Sequence, residues 1–257
     1  MNSRVLRPSI DEIGVIIPAN NEERLLPRSL AAVERSLDDI DPAIRVHVVV
    51  VLDTCADGSS EIARTWKNHL GQSSFDVTVI DFDGENVGRA RAKGCDVFLN
   101  GVAGTDLARA WIATTDADSR VPVHWLRTQL REHDLGADAW AGRVAVTDWP
   151  LHRLTGAAAW QRAYDAEVHP VHGASLGVVA EHYVAVGGFP PLRSGEDRAL
   201  CAALLKHGAN VHYNSSALVV TSARRHARAP EGFATALTRF EVPSHEVEDR
   251  EINSQRA

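Results

Sequence analysis

Cysteine is scarce in this chain. Cys55, Cys95 and Cys201 are three in number and far apart. No CxxC or Cys/His spacing joins them, so neither a disulfide framework nor a zinc site is signalled. A cytoplasmic location is then the simplest expectation. An excess of positive charge is also absent. The net charge is -7, which argues against a general nucleic-acid binder, because phosphates need a basic surface to neutralise them. Long apolar runs are missing too. The longest, residues 46–52, is interrupted by His47 and falls far short of the roughly 20 residues that span a bilayer. The opening stretch MNSRVLRPSIDE lacks the apolar centre of a secretory signal. Nor is there a GxGxxG after the first apolar run or a GxxxxGK[ST]. A dinucleotide-binding Rossmann domain and a P-loop NTPase are therefore unsupported.

What is present is a strand–helix alternation. The chain has 257 residues, 44% of them hydrophobic, enough for one large domain with a sizeable core. Short β-branched or apolar runs at 13–17, 46–52, 77–80 and 111–115 read as buried strands. Between them, 22–37, 59–70 and 88–99 carry apolar residues at helical spacing. Glu22 and Glu23 favour the start of the first helix, and Asp57 reads as a helix cap. This order predicts an α/β fold with a mainly parallel sheet and helices on both faces. The second half is less regular. It predicts helices at 123–133, 152–165, 181–186 and 197–207, strands at 139–146 and 175–180, and final strands at 211 and 218–220. Residues 1–119 and 120–240 read as two halves of one domain, and 241–257 as a polar, acidic tail.

In such folds ligands bind beyond the carboxyl ends of the strands. Four polar clusters fall there: Pro18-Ala19-Asn20-Asn21-Glu22, Asp53 to Asp57, Asn86-Val87-Gly88-Arg89, and Asp116-Ala117-Asp118. Two aspartates one residue apart repel unless a positive charge lies beside them. A hard cation such as Mg²⁺ or Mn²⁺ would serve, since it bridges carboxylates to substrate phosphates. A solvated turn at the strand end is the plainer alternative.

The sequence as a whole resembles family 2 glycosyltransferases of the GT-A fold, which are Rossmann-like. The resemblance rests on "VIIPANNEE", "VLDTCADGS", "NVGRARAKG" and "TTDADS" after four successive strands. "GGFPPLRSGEDRALCAALLKHG" and "VVTSARR" follow in the same order. It covers 13 to about 228. It implies that the first loops hold a nucleotide sugar through Pro18, Ala19, Asn20, Glu22 and Asp53. "NVGRARAKG" departs from the family's longer third-loop motif. One of its arginines could contact the donor; Arg89 is favoured, and Arg91 is then expected as a solvated surface charge. The resemblance further implies Asp118 on Mg²⁺ or Mn²⁺. Asp116 would lie near the ribose or on the metal through water.

For the later segment the resemblance implies that Asp197 is a general base and that Glu196 supports it or binds the acceptor. Favourable charge at a helix N-terminus would explain the same pair. Arg224 or Arg225 could clamp the diphosphate, and His226 could be a metal ligand. His169 and His172 read as acceptor-pocket or structural residues, and Trp140, Trp149 and Trp160 as core more than as sugar platforms. The expected activity is inverting transfer of a sugar from a nucleotide-diphosphate sugar to an acceptor hydroxyl. Alternatives are a retaining transferase of the same fold and a catalytically silent nucleotide-sugar binding protein. A sugar-nucleotide-forming nucleotidyltransferase would normally show a glycine-rich first loop, which "PANNEE" is not. The oligomeric state stays open, a dimer included.

Overall fold

A computed structural model of the chain describes residues 7–70, 75–147, 149 and 154–222. The first four strands are β1 (Glu12–Ala19), β2 (Arg45–Asp53), β3 (Asp76–Phe82) and β4 (Ala110–Thr114). Three helices alternate with them: α1 (Leu26–Leu37), α2 (Ser59–His69) and α3 (Val87–Gly101). After them come α4 (Trp125–Asp134), β5 (Ala139–Thr147), α5 (Leu154–Asp165), β6 (Leu176–Val179), α6 (Ala180–Ala185), α7 (Glu196–Lys206) and β7 (Val211–Ser222). The strands form one seven-stranded sheet in the order β3-β2-β1-β4-β6-β5-β7. β1 pairs in parallel with β2 and β4, and β2 with β3. Their carboxyl ends therefore line one edge. β6 is antiparallel to both neighbours, and β5 and β7 are parallel.

Successive side chains of a strand point to opposite faces, which gives the buried strands two apolar surfaces to cover. Ile13, Val15 and Ile17 of β1 join Leu26, Leu30 and Val33 of α1 and Trp125 of α4 in one cluster. Ile16 joins Ala90, Cys95 and Phe98 of α3 and Leu200 and Leu204 of α7 in the other. Gly14 and Gly94 let α3 lie close on the sheet. A Cβ at Gly14 would be 2.5 Å from the Phe98 ring, and one at Gly94 2.5 Å from Ile16. Trp140 and Trp160 are buried in the first cluster, with Trp149 packed against it.

Two expectations change. The first helix begins at Leu26, not at residue 22, with a proline in its first turn, where the missing N–H costs nothing. Glu23 instead reaches the start of α2: its Oε2 accepts from the Gly58 amide at 3.0 Å. The two final strands are one strand, broken in register between Gly142 and Val144 of β5. Asn214 turns its side chain into that bulge, where its Oδ1 accepts from Trp140 Nε1 and from the Ser216 amide, each at 3.1 Å. The polar stretch around it interrupts the apolar pattern without ending the strand.

Candidate active site

The loops after β1, β2 and β3 are cross-tied. Asn20 Nδ2 donates to the Asp53 carbonyl at 2.6 Å. Asn21, with φ 52°, uses its Oδ1 to accept from the Ala56 and Asp57 amides. The Glu22 amide donates to Ser59 Oγ at 2.7 Å, and Glu22 is buried. The cap of α2 is Gly58 and not Asp57; Asp57, one residue earlier, accepts from the Ser59 amide at 3.0 Å and also from the Glu23 amide. Pro18 and Ala19 close β1, and the Ala19 carbonyl faces Cys55 Sγ at 3.3 Å.

Asp53 is 4% exposed, and main chain surrounds its carboxylate. Oδ1 accepts from the Gly84 and Glu85 amides at 2.8 and 2.9 Å, and Oδ2 from the Asn86 amide at 3.0 Å. It thereby sets the loop that feeds α3, whose own cap is Asn86, accepting from the Arg89 amide. Gly88 brings α3 against the segment before α7: a Cβ there would sit 2.2 Å from the Pro190 carbonyl oxygen. Because unpaired buried amides cost about 1–3 kcal/mol each, Asp53→Ala is expected to lower stability by a few kcal/mol. Asp53→Asn should lose less, since one oxygen remains. Urea unfolding of the two variants checks the order.

α3 presents Gly88, Arg91, Gly94, Cys95 and Phe98 on its buried side, a helical spacing. Arg91 is therefore the inward arginine, 2% exposed, and the expectation of a solvated charge there is overturned. Arg89 is the exposed one. The Arg91 fork reaches three partners. Nη2 donates to Asp116 Oδ1 at 2.5 Å, Nε to Glu196 Oε1 at 2.9 Å and Nη1 to the Gly173 carbonyl at 3.2 Å. The phase of these few apolar and small residues was the signal that could have singled it out.

Gly173 links further. Its carbonyl also accepts from Thr114 Oγ1 at 2.7 Å, and its amide donates to Asp197 Oδ2 at 2.8 Å. Asp197 Oδ1 accepts from the Arg198 amide at 2.7 Å. Thr114, Gly173 and Arg91 were not read from the sequence as site residues. Asp116 and the adjacent pair Glu196 and Asp197, far from it in the chain, are thus gathered around one guanidinium.

Burial alone would lower the Arg91 pKa, but the charges of Asp116 and Glu196 outweigh it and hold the pKa above the ordinary arginine value. Burial pushes the Glu196 carboxyl up, opposed by Arg91 and reinforced by Asp197. His172, next to Gly173, is held down at about 4 by burial, against the pull of Asp197. It is neutral at pH 7. Its ring lies 5.5 Å from that of Tyr164, at the edge of the aromatic group formed by Trp149, Trp160 and Tyr164. His169 packs instead against Tyr213, with ring centroids 4.4 Å apart.

Asp118 lines a small cavity with Leu25, Arg28, Arg120, Thr147 and Thr221. Ser119 Oγ donates to Asp118 Oδ1 at 3.3 Å and bonds Thr221 Oγ1 at 3.0 Å. Among the described residues no group of three or more His, Cys, Asp or Glu side chains is placed to hold a metal ion. Arg224, Arg225 and His226 lie outside the described residues. Asp118 and Asp116, the pair read from the sequence, carry oxygen donors, which suit a hard cation that keeps waters and shares substrate phosphates.

Among the described residues no helix is long and apolar enough to cross a membrane. No curated protein matches the chain. Solved structures do. The mannosyltransferase PcManGT from Pyrobaculum calidifontis, in complex with GDP-Man and Mn²⁺, has a TM-score of 0.63 at 17% identity, covering 87% of this chain and 61% of that one. Residues 1–349 of S. aureus TarS give 0.56 at 14% identity, with 82% and 60% covered. GalNAc-T7 with UDP, GalNAc and Mn²⁺ gives 0.60 at 12%, with 90% and 48% covered. The chain thus spans about half to three fifths of the length of these proteins, and the likeness is one of fold, the GT-A type. The model of glycosyl transferase family 2 matches residues 14–169, more than half of the sequence, and the chain belongs to that family.

Proposed function

We propose that this chain transfers a sugar from a nucleotide-diphosphate sugar to an acceptor hydroxyl in a single, inverting displacement. The observation that carries the reading is the placing of Asp197. Its Oδ2 rests on the Gly173 amide beside Glu196, Arg91 and Asp116, at the edge where the parallel strands end. In the reaction the acceptor hydroxyl gives its proton to the Asp197 carboxylate. Its oxygen attacks the anomeric carbon, and the bond from that carbon to the diphosphate breaks. Glu196 sits against Arg91 and lines the acceptor side.

The donor would lie across the loops of Pro18, Ala19, Asn20, Glu22 and Asp53. With its carboxylate already ringed by amides, Asp53 serves the donor by shaping the loop that ends at Asn86. Arg89, at the exposed start of α3, is free to meet the nucleotide, and Arg224 or Arg225 is proposed for the diphosphate. Asp118 and, through water, Asp116 would hold Mg²⁺ or Mn²⁺, with His226 as a further proposed ligand. When bound, the cation neutralises the leaving diphosphate. Two relatives of this fold were solved with Mn²⁺, which supports that choice. The site is read as facing soluble or peripheral acceptors in the cytoplasm.

The test is the stereochemistry of the product. Wild-type protein with a panel of nucleotide sugars and Mn²⁺ is expected to yield the inverted anomer by NMR. A retained anomer would place the chain in the retaining class. Bound donor with no product from any acceptor would leave it a binding protein.

A further inference from the structure

Three carboxylates surround Arg91 from different elements: Asp116 after β4, and Glu196 and Asp197 on α7. His172, which also feels Asp116, Asp197, Arg198 and Arg143, is neutral by burial and adds no charge. The ring of Phe189 covers the guanidinium at 5.9 Å. Arg91 does not bond Asp197 in any contact of its fork; it bonds the residue that does. Gly173 receives Arg91 Nη1 on its carbonyl and gives its amide to Asp197. Residue 173 has to be glycine for this to work, because a Cβ there would lie 2.2 Å from Arg91 Nη2.

We propose that Arg91 is a positioning residue. Through the main chain of Gly173 it fixes the carboxylate of Asp197 relative to Asp116, joining the donor side of the site to the acceptor side. The inference rests on the reading of Asp197 as base. The planar fork matters more than the charge. Nε, Nη1 and Nη2 each go to a different partner, and a lysine ammonium is a compact charge on a flexible stem that lacks this pre-set geometry. The arrangement also explains why a fully buried cation is tolerated: two carboxylates and a carbonyl satisfy it.

Arg91→Lys keeps the charge and loses the fork, and Gly173→Ala crowds the same contact from the other side. Both are expected to bind the nucleoside diphosphate with Mn²⁺ within about threefold of wild type. Both are expected to lose turnover by about 10–100-fold, the scale of a misplacement near 1 Å. Hydrogen exchange at the Gly173 amide should accelerate in Arg91→Lys. A parallel loss of nucleotide affinity and turnover would make Arg91 a donor ligand or a fold determinant and overturn the proposal, as would unchanged turnover. If wild-type protein transfers no sugar at all, the transferase reading fails. Gly173 exchange then decides the Arg91 link alone, and an unchanged rate sinks it.

Discussion

Asp197→Asn is expected to bind a nucleotide sugar as wild type does and to transfer it about 10²–10⁴ times more slowly, the usual worth of a positioned general base. At about 1.4 kcal/mol per decade that is roughly 3–5 kcal/mol of lost transition-state stabilisation. The substitution is chosen because the asparagine carbonyl oxygen can still accept from the Gly173 amide, as Asp197 Oδ2 does now. The fold around the N-terminus of α7 therefore keeps its bond. What disappears is the ability to take a proton. Donor affinity by calorimetry and turnover under saturating donor separate the two effects. Wild-type turnover in this variant would remove Asp197 as the base and reopen Glu196, whose carboxyl is pushed up by burial.

Asp118→Asn should erase the part of donor affinity that depends on Mn²⁺. Removing the support around a metal ligand commonly costs 10–100-fold in affinity, so losing a ligand itself is expected to cost more than about 10²-fold. Asp118 sits in the cavity with Arg28 and Arg120, and the Arg91 fork goes to Glu196, Gly173 and Asp116, so loss of Asp118 should leave the acceptor side intact. Donor titrations with and without Mn²⁺ make the comparison. Metal-dependent binding that survives would strip Asp118 of the role. Asp116→Asn makes an informative partner, because Asp116 Oδ1 takes Arg91 Nη2, so turnover should fall together with the metal-dependent part of donor binding.

The first four strands and three helices are readable because both faces of the sheet are covered. Continuous β-branched runs then stand out, and the covering helices keep a clean periodicity. Strand direction is another matter. β6 reads as strand from its apolar run, yet nothing in LGVV says that it runs antiparallel to β4 and β5; a period of two is the same in either direction. The site residues divide along a similar line. Asp116, Asp118, Glu196 and Asp197 stand out as acids at element ends. Arg91 does not, since choosing between it and Arg89 depends on the rotation of α3, which is set by the close approaches at Gly88 and Gly94. Gly173 carries no side chain to draw attention, and its role is played by main-chain atoms alone.

One consequence follows from the way Asp53 is used. Its carboxylate, the Asn20 and Asn21 side-chain amides and the Asp57 carboxylate already bind the loops after β1, β2 and β3 to one another. A ligand arriving at that edge meets backbone that has been immobilised during folding. Little chain entropy is then left to lose on association, so more of each contact made there survives as net affinity. On the proposed reading, the part of the donor site built by these loops is preorganised, and selectivity among donors there would come from fit to a fixed surface.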